Sequence, residues 1–256
     1  MDRRNFLASL GLLITGFWGC VQGKSQPKFL TAGTDYKGKN YAVGLYENGD
    51  IAYQLEVPFR GHELVVSPDG LNAMILARRP GFYCCQIDLA KGRLLKMISP
   101  KKNRHFYGHG VYRADGSTFF TSENDYSSGR GLIVERCSKT LELVREFESG
   151  GIGPHQINIL NSGSSLVVAN GGIRTHPGSD RRKLNLDSMD ASLAYFNIRT
   201  NELERLVRLP NKKASIRHLA VVKDQKVIIG VQDQGLLHKS YPLAFIDEGI
   251  SELKAL

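Results

Sequence analysis

The chain repeats itself, and that repeat limits what it can fold into more than any other feature. Gly61-His62-Glu63-Leu64-Val65-Val66-Ser67-Pro68-Asp69-Gly70 returns as Gly108-His109-Gly110-Val111-Tyr112-Arg113-Ala114-Asp115-Gly116. It returns again as Pro154-His155-Gln156-Ile157-Asn158-Ile159-Leu160-Asn161-Ser162-Gly163 and as Arg217-His218-Leu219-Ala220-Val221-Val222-Lys223-Asp224. Successive histidines stand 47, 46 and 63 residues apart, and the long last interval places an insertion between Gly171 and Asp190.

Inside each unit, short β-branched and aromatic runs alternate with turn residues. The first full unit gives Leu64–Val66, Ala73–Ala77, Phe82–Asp88 and Leu94–Ile98, with Pro68-Asp69-Gly70 and Lys91-Gly92 between them. The second gives Val111–Tyr112, Thr118–Thr121, Leu132–Arg136 and Leu143–Phe147. Runs of this kind, bounded by Asp-Gly and Lys-Gly, predict strands joined by hairpins. Four strands in a unit of about 46 residues is the spacing of a propeller blade. A helical solenoid of similar period would need a 3.6-residue apolar stripe, and no useful length of one occurs.

The predicted fold is therefore all-β, a β-propeller of four-stranded antiparallel blades, about five of them. Ahead of the first full unit, Phe29–Thr34, Tyr41–Tyr46 and Ile51–Val57 supply three strands and no histidine-bearing one, as in a blade without its innermost strand. The last predicted strand is Ser251–Leu256. This strand inventory predicts an open, crescent-like array. Its exposed edges and apolar blade faces would favour self-association.

At 41% apolar and 23% charged residues, the chain can bury a core and is not disordered. Its formal charge of +9 is scattered and forms no stripe, so no nucleic-acid partner is expected. Arg3-Arg4-Asn5-Phe6-Leu7 matches the core of a twin-arginine export signal, and Ala8–Val21 is an apolar run broken by Gly11, Gly16 and Gly19. The expected division is a leader at 1–26 and the propeller at 27–256, delivered to the periplasm with no transmembrane domain in the mature chain. Cys20 offers lipoprotein attachment as a lesser alternative. Cys84 and Cys85 are adjacent on a predicted strand, so they point to opposite faces. With no C-x-x-C present, they and Cys137 read as buried free thiols.

Longer matches resemble a bacterial family, domain of unknown function 1513. They are Arg78-Arg79-Pro80-Gly81, Arg104-His105-Phe106-Tyr107-Gly108-His109-Gly110, Thr121-Ser122-Glu123-Asn124-Asp125-Tyr126, Gly151-Ile152-Gly153-Pro154-His155, Val168-Ala169-Asn170-Gly171-Gly172-Ile173-Arg174-Thr175-His176-Pro177, Lys183-Leu184-Asn185-Leu186-Asp187 and Ser215-Ile216-Arg217-His218-Leu219-Ala220. The resemblance implies an exported periplasmic propeller of seven blades, longer than this chain, so that it reads as a truncated member. It also implies, by association only, a setting in iron handling. The family carries no settled activity.

Each innermost strand begins, and each second strand ends, on one face of the disc. His62, His109, His155 and His218 start innermost strands there. Arg78 and Arg79, Glu123 and Asn124, and Asn170 stand where second strands end, with Tyr126, Arg174, His176 and Arg217 on the same rim. The insertion is expected as an excursion over this face, carrying Arg174, His176, Arg181, Arg182 and Lys183. Turns such as Pro68-Asp69-Gly70 collect on the opposite face.

Two readings of the histidines stand open. Neutral imidazoles around a channel suit a transition metal. Alternatively, each hydrogen-bonds the neighbouring blade's backbone. The Arg/Asn/His rim suits a small polar or anionic ligand, or a periplasmic protein, unless its arginines pair with Glu63, Glu123 or Asp125. G-x-S-x-G, H-E-x-x-H, C-x-x-C-H and a phosphate-binding glycine loop are all absent from the sequence. The function expected is a binding or scaffold propeller linked to metal handling, with a metal-dependent redox or hydrolytic enzyme and a non-functional truncated chain as alternatives.

Overall fold

The structure, a computed structural model, describes residues 26–179, 182–235, 244–247 and 253–255. The proposed leader, with Arg3, Arg4 and Cys20, lies outside them, as does Arg181. Five antiparallel sheets follow one another along the chain. The first has three strands: β1 (Phe29–Thr34), β2 (Asn40–Leu45) and β3 (Ile51–Val57). The second runs β4 (Gly61–Val66), β5 (Asn72–Ala77), β6 (Cys84–Asp88) and β7 (Arg93–Ile98). The third is β8 (Arg104–Tyr112), β9 (Thr118–Asp125), β10 (Arg130–Cys137) and β11 (Leu143–Glu148). The fourth is β12 (Pro154–Ile159), β13 (Ser165–Asn170), β14 (Ser192–Asn197) and β15 (Leu203–Arg208). The fifth is β16 (Ala214–Val221), β17 (Val227–Asp233), β18 (Ala244–Asp247) and β19 (Lys254–Ala255).

Hairpins with one glycine in the left-handed region join neighbouring strands, for instance Gly70 (φ 70°), Gly116 (φ 71°) and Gly163 (φ 71°). Those conformations are strained for residues with a Cβ, which is why the Asp-Gly positions recur.

Successive sheets pack face to face as propeller blades do, and period-two alternation decides which neighbour each side chain meets. On β5, Ala73 and Ile75 pack toward the first sheet with Ala42, Val57 and Cys85. Met74 and Leu76 pack the other way, with Cys84, Phe106 and Phe119. Cys84 and Cys85 thus do face opposite layers, both as buried free thiols. β13 repeats the division, with Leu166 and Val168 against the third sheet and Val167 and Ala169 against the fifth. Because both faces of these strands are covered, they read as continuous apolar runs; truncating Met74, Ile75, Leu76 or Leu166 to Ala costs about 2–5 kcal/mol.

The innermost strands meet around the axis, β4 with β8, β8 with β12 and β12 with β16. Each also packs on the second strand of the sheet before it, as β8 does on β5, β12 on β9 and β16 on β13. β4 packs on β1 in the same way, so β1 holds a second-strand position, and among the described residues the first sheet has no innermost strand. No comparable packing joins the fifth sheet to the first among the described residues. In that respect the array is open. No helix of the described residues is long and apolar enough to cross a membrane.

Candidate functional site

The histidine-bearing strands share a defect. Between β4 and β5 the register shifts from Gly61↔Ala77 to Glu63↔Leu76, leaving His62 unpaired. Between β12 and β13 it shifts from Pro154↔Asn170 to Gln156↔Ala169, leaving His155 unpaired. β8 shifts between Phe106 and Gly110, around His109, with Gly108 at φ 107°. β16 shifts between Ile216 and His218, so here Arg217 is the extra residue. A bulge bends its strand and re-aims one side chain, and bulges concentrate at functional sites. A Cβ on Gly108 would stand 2.7 Å from His62 Cδ2, so the ring of His62 needs a glycine there.

These bulges bring the four imidazoles together. His62 Nε2 lies 3.1 Å from His109 Nε2. Ring centroids are 5.2 Å apart for His109 and His155, 5.3 Å for His155 and His218, and 5.8 Å for His109 and His218. His109, His155 and His218 each offer a ring nitrogen, and the three nitrogens lie within 4.8 Å of one another. His109 and His155 are buried, whereas His218 is exposed. Among the described residues, none of the four side chains makes a hydrogen bond to a neighbouring blade's backbone. His105 instead bonds within its own strand, its Nδ1 donating to the Phe106 carbonyl at 2.9 Å.

The residue following one histidine supports the next histidine. Gln156 Oε1 accepts from the Leu219 N–H at 3.0 Å, which fixes it as the amide oxygen. His218 Nδ1, 3.0 Å from the same oxygen, must then donate, and in the neutral ring Nε2 keeps its lone pair. Glu63 occupies the equivalent place toward His109. Its Oε2 accepts from the Gly110 N–H at 2.9 Å, and its Oε1 lies 3.2 Å from His109 Nδ1 without hydrogen-bond alignment. The residue after His109 is Gly110, which has no side chain to offer, and His155 Nδ1 is buried without a partner.

Burial and like-charge neighbours favour the neutral form of three of the rings, His62, His155 and His218. Burial, with His109 next in effect, holds His62 down at about 4. His155 is pushed to about 2, again by burial and then by His109 and Arg217. Burial also lowers His218. A cavity of about 260 Å3 opens beside the cluster, lined by His62, His155 and His218 and by Arg78, Arg79, Arg217 and Gln232. Arg217 is itself pushed down to about 10, by burial first and by Arg79 second. Its Nε donates to Gln232 Oε1 at 3.2 Å.

The family described as protein of unknown function DUF1513 matches residues 55–256. The chain belongs to it. No curated protein matches the chain. Among solved structures it is similar to the Kuenenia stuttgartiensis hydrazine synthase, with a TM-score of 0.65 at 13% identity over 94% of this chain and 68% of that one. At that identity the likeness concerns the propeller fold alone.

In this DUF1513 chain the remaining rim residues divide. Tyr126, Arg174 and His176 line a second hollow of about 430 Å3 with Ser179, Leu184, Asn185 and Ser188. Tyr126 stacks on His105 at 6.3 Å and meets His176 edge-on at 5.0 Å. The insertion is tied to the rim at its start, where the Ile173 carbonyl accepts from Tyr107 Oη at 3.4 Å. Glu123, Asn124 and Asn170 turn inward. Glu123 is buried against Arg136 Nη2 at 2.7 Å, and burial pushes its carboxyl up. Asn124 Nδ2 lies 3.1 Å from His105 Nε2, and Asn170 ties Ser149 to Ser192. These three shape the walls without lining either cavity. Glu63 faces His109 and accepts from the Gly110 N–H, Glu123 is paired with Arg136, and Asp125 accepts from the Ser127–Ser128 turn. The supporting roles of Glu63 and Gln156 escape a reading of the sequence for rim residues. Their one signal is a polar residue directly after a repeat histidine.

Proposed function

We propose that this chain is an exported metal-binding β-propeller whose ligand site is the histidine cluster at the channel mouth. His109, His155 and His218 would hold a transition-metal ion, with His62 beside His109. The observation that carries this is the approach of three ring nitrogens from three separate blades to within 4.8 Å. Two ligands about 2.0–2.1 Å from one tetrahedral ion stand about 3.3 Å apart, so closing the set requires shifts of about an ångström. The His62–His109 pair, at 3.1 Å, is already at that separation.

Neutral imidazoles in a partly dry site, with Nδ1 of His218 held by an acceptor, are what a ligand set needs. Imidazole donors favour zinc, copper, iron or nickel. Export rests on Arg3-Arg4-Asn5-Phe6-Leu7 and on the family resemblance, which also suggests iron handling as the setting. Protein purified without an affinity tag should carry stoichiometric metal by elemental analysis, and replacing His109 and His155 with alanine should abolish it. A wild-type chain that neither contains nor takes up any of these metals would end the proposal.

A further inference from the structure

The insertion builds a hollow of its own, sharing no lining residue with the cavity beside the histidine cluster. The loop is anchored near its ends by the buried side chains of Ile173 and Met189. Between them Asn185 ties it together, its Oδ1 accepting from the Arg174 N–H at 2.7 Å and its Nδ2 donating to the Gly172 carbonyl at 2.9 Å. The Leu184 N–H returns to the Arg174 carbonyl at 3.0 Å. The space of about 430 Å3 that the loop forms with Tyr126 is therefore preformed, which spares a ligand the cost of ordering it.

The lining of this hollow is uneven. Tyr126, stacked on the buried His105, supplies a flat wall, His176 stands edge-on to it, and Leu184 adds an exposed apolar side chain. Against these stands one full charge, the guanidinium of Arg174. A Cβ on Gly129 would stand 2.9 Å from Arg174 Nε, so the guanidinium is seated against the β9–β10 hairpin. Among the described residues the Arg174 side chain has neither a hydrogen bond nor an ion pair, and no carboxylate lines the hollow. The insertion's Asp187 pairs with Lys213, and its Asp190 with Arg208 and Lys212. His176 Nδ1 accepts from the Gly178 N–H at 3.1 Å, so in the neutral ring Nε2 carries the proton and is a second donor. An arginine on a convex surface needs only water, but this one stands in a concave, aromatic-walled space that offers donors and lacks a negative charge.

We infer that this hollow binds a small organic carboxylate with a flat apolar body. Arg174 forks the carboxylate, and the body lies against Tyr126, His176 and Leu184. A guanidinium presents the planar pair of N–H groups that a carboxylate matches, and aromatic walls favour a planar body. The volume falls at the lower end of the roughly 300–1,000 Å3 of small-molecule sites, so a single ring fits and a dinucleotide does not. The inference uses none of the histidine-cluster ligands and is independent of the metal-binding reading.

The test is calorimetric titration of the full chain, treated with chelator so that no metal contributes, with benzoate, phenylacetate, acetate and benzamide. At least one of the two aromatic acids should bind saturably. Acetate, which lacks the body, and benzamide, which lacks the charge, should each bind at least about tenfold more weakly. Arg174→Gln should lose about tenfold or more of the aromatic acid's affinity, as expected for a charge-assisted contact, and Arg174→Lys should lose less. Leu184→Ser, at another exposed position, should weaken binding of the aromatic acid and leave acetate unchanged. No saturable heat with either aromatic acid would overturn the inference. So would acetate binding as tightly as benzoate, or an affinity that neither Arg174→Gln nor Leu184→Ser alters.

Discussion

Gln156 sits directly after one repeat histidine and holds the next one, its side-chain oxygen 3.0 Å from His218 Nδ1 and 3.0 Å from the Leu219 N–H. Glu63 stands at the equivalent place, accepting from the Gly110 N–H with one oxygen while the other lies 3.2 Å from His109 Nδ1 without hydrogen-bond alignment. The repeat thus encodes ring-orienting acceptors as well as imidazoles. His155 breaks the pattern because Gly110 precedes it in the series.

That relationship predicts the effect of removing Gln156. In Gln156→Leu, His218 loses the acceptor that sets its tautomer, and metal affinity should fall by about 10–100-fold, as for other orienting partners. Gln156→Glu, which keeps an acceptor, should retain most of the affinity. Competition titration against a chelator of known affinity measures both. Equal affinity in Gln156→Leu and wild type would show that His218 does not bind metal through Nε2.

Export is independent of the site. Replacing Arg3 and Arg4 together with lysine should leave full-length precursor in the cytoplasm, detected by fractionation and immunoblotting. Delivery of the double variant to the periplasm at the wild-type level would rule out the twin-arginine route.

Acid sensitivity should be traceable to Glu146. Hydrogen bonds from Arg104, at 2.9 and 3.0 Å, hold its carboxyl down at about 2, with Lys101 adding to the effect. A carboxyl depressed on folding contributes stability that is fully present above its unfolded value of about 4.3 and is lost as pH falls through its folded value. After allowance for solvent screening, the contribution is roughly 1 kcal/mol. Melting temperature should therefore fall more steeply between about pH 4.3 and 2 in wild type than in Glu146→Gln. Above that range the variant should be the less stable of the two. Parallel pH–stability curves would mean that the Arg104 pair contributes nothing.

The sequence by itself determined the blades. Turn chemistry and period-two patterning act over a few residues, so Pro68-Asp69-Gly70 and the runs beside it announce their strands without help from distant parts of the chain. The repeat likewise put the histidines on innermost strands, at the start for His62 and His155, whereas β8 and β16 begin upstream at Arg104 and Ala214 and carry His109 and His218 in their interiors. The sequence put Cys84 and Cys85 on opposite faces for the same local reason. What it could not supply was direction and distance. One extra residue reverses the face a side chain points to, and the extra residue is His62 in one strand and Arg217 in another. Glu123 and Asn170 end their strands on the expected face, yet Arg136, Ser149 and Ser192 draw them into the interior. How closely His109, His155 and His218 approach depends on the packing of three successive sheets, summed over many side chains far apart in sequence. Only the tertiary structure decides that spacing, since no short stretch of residues contains it.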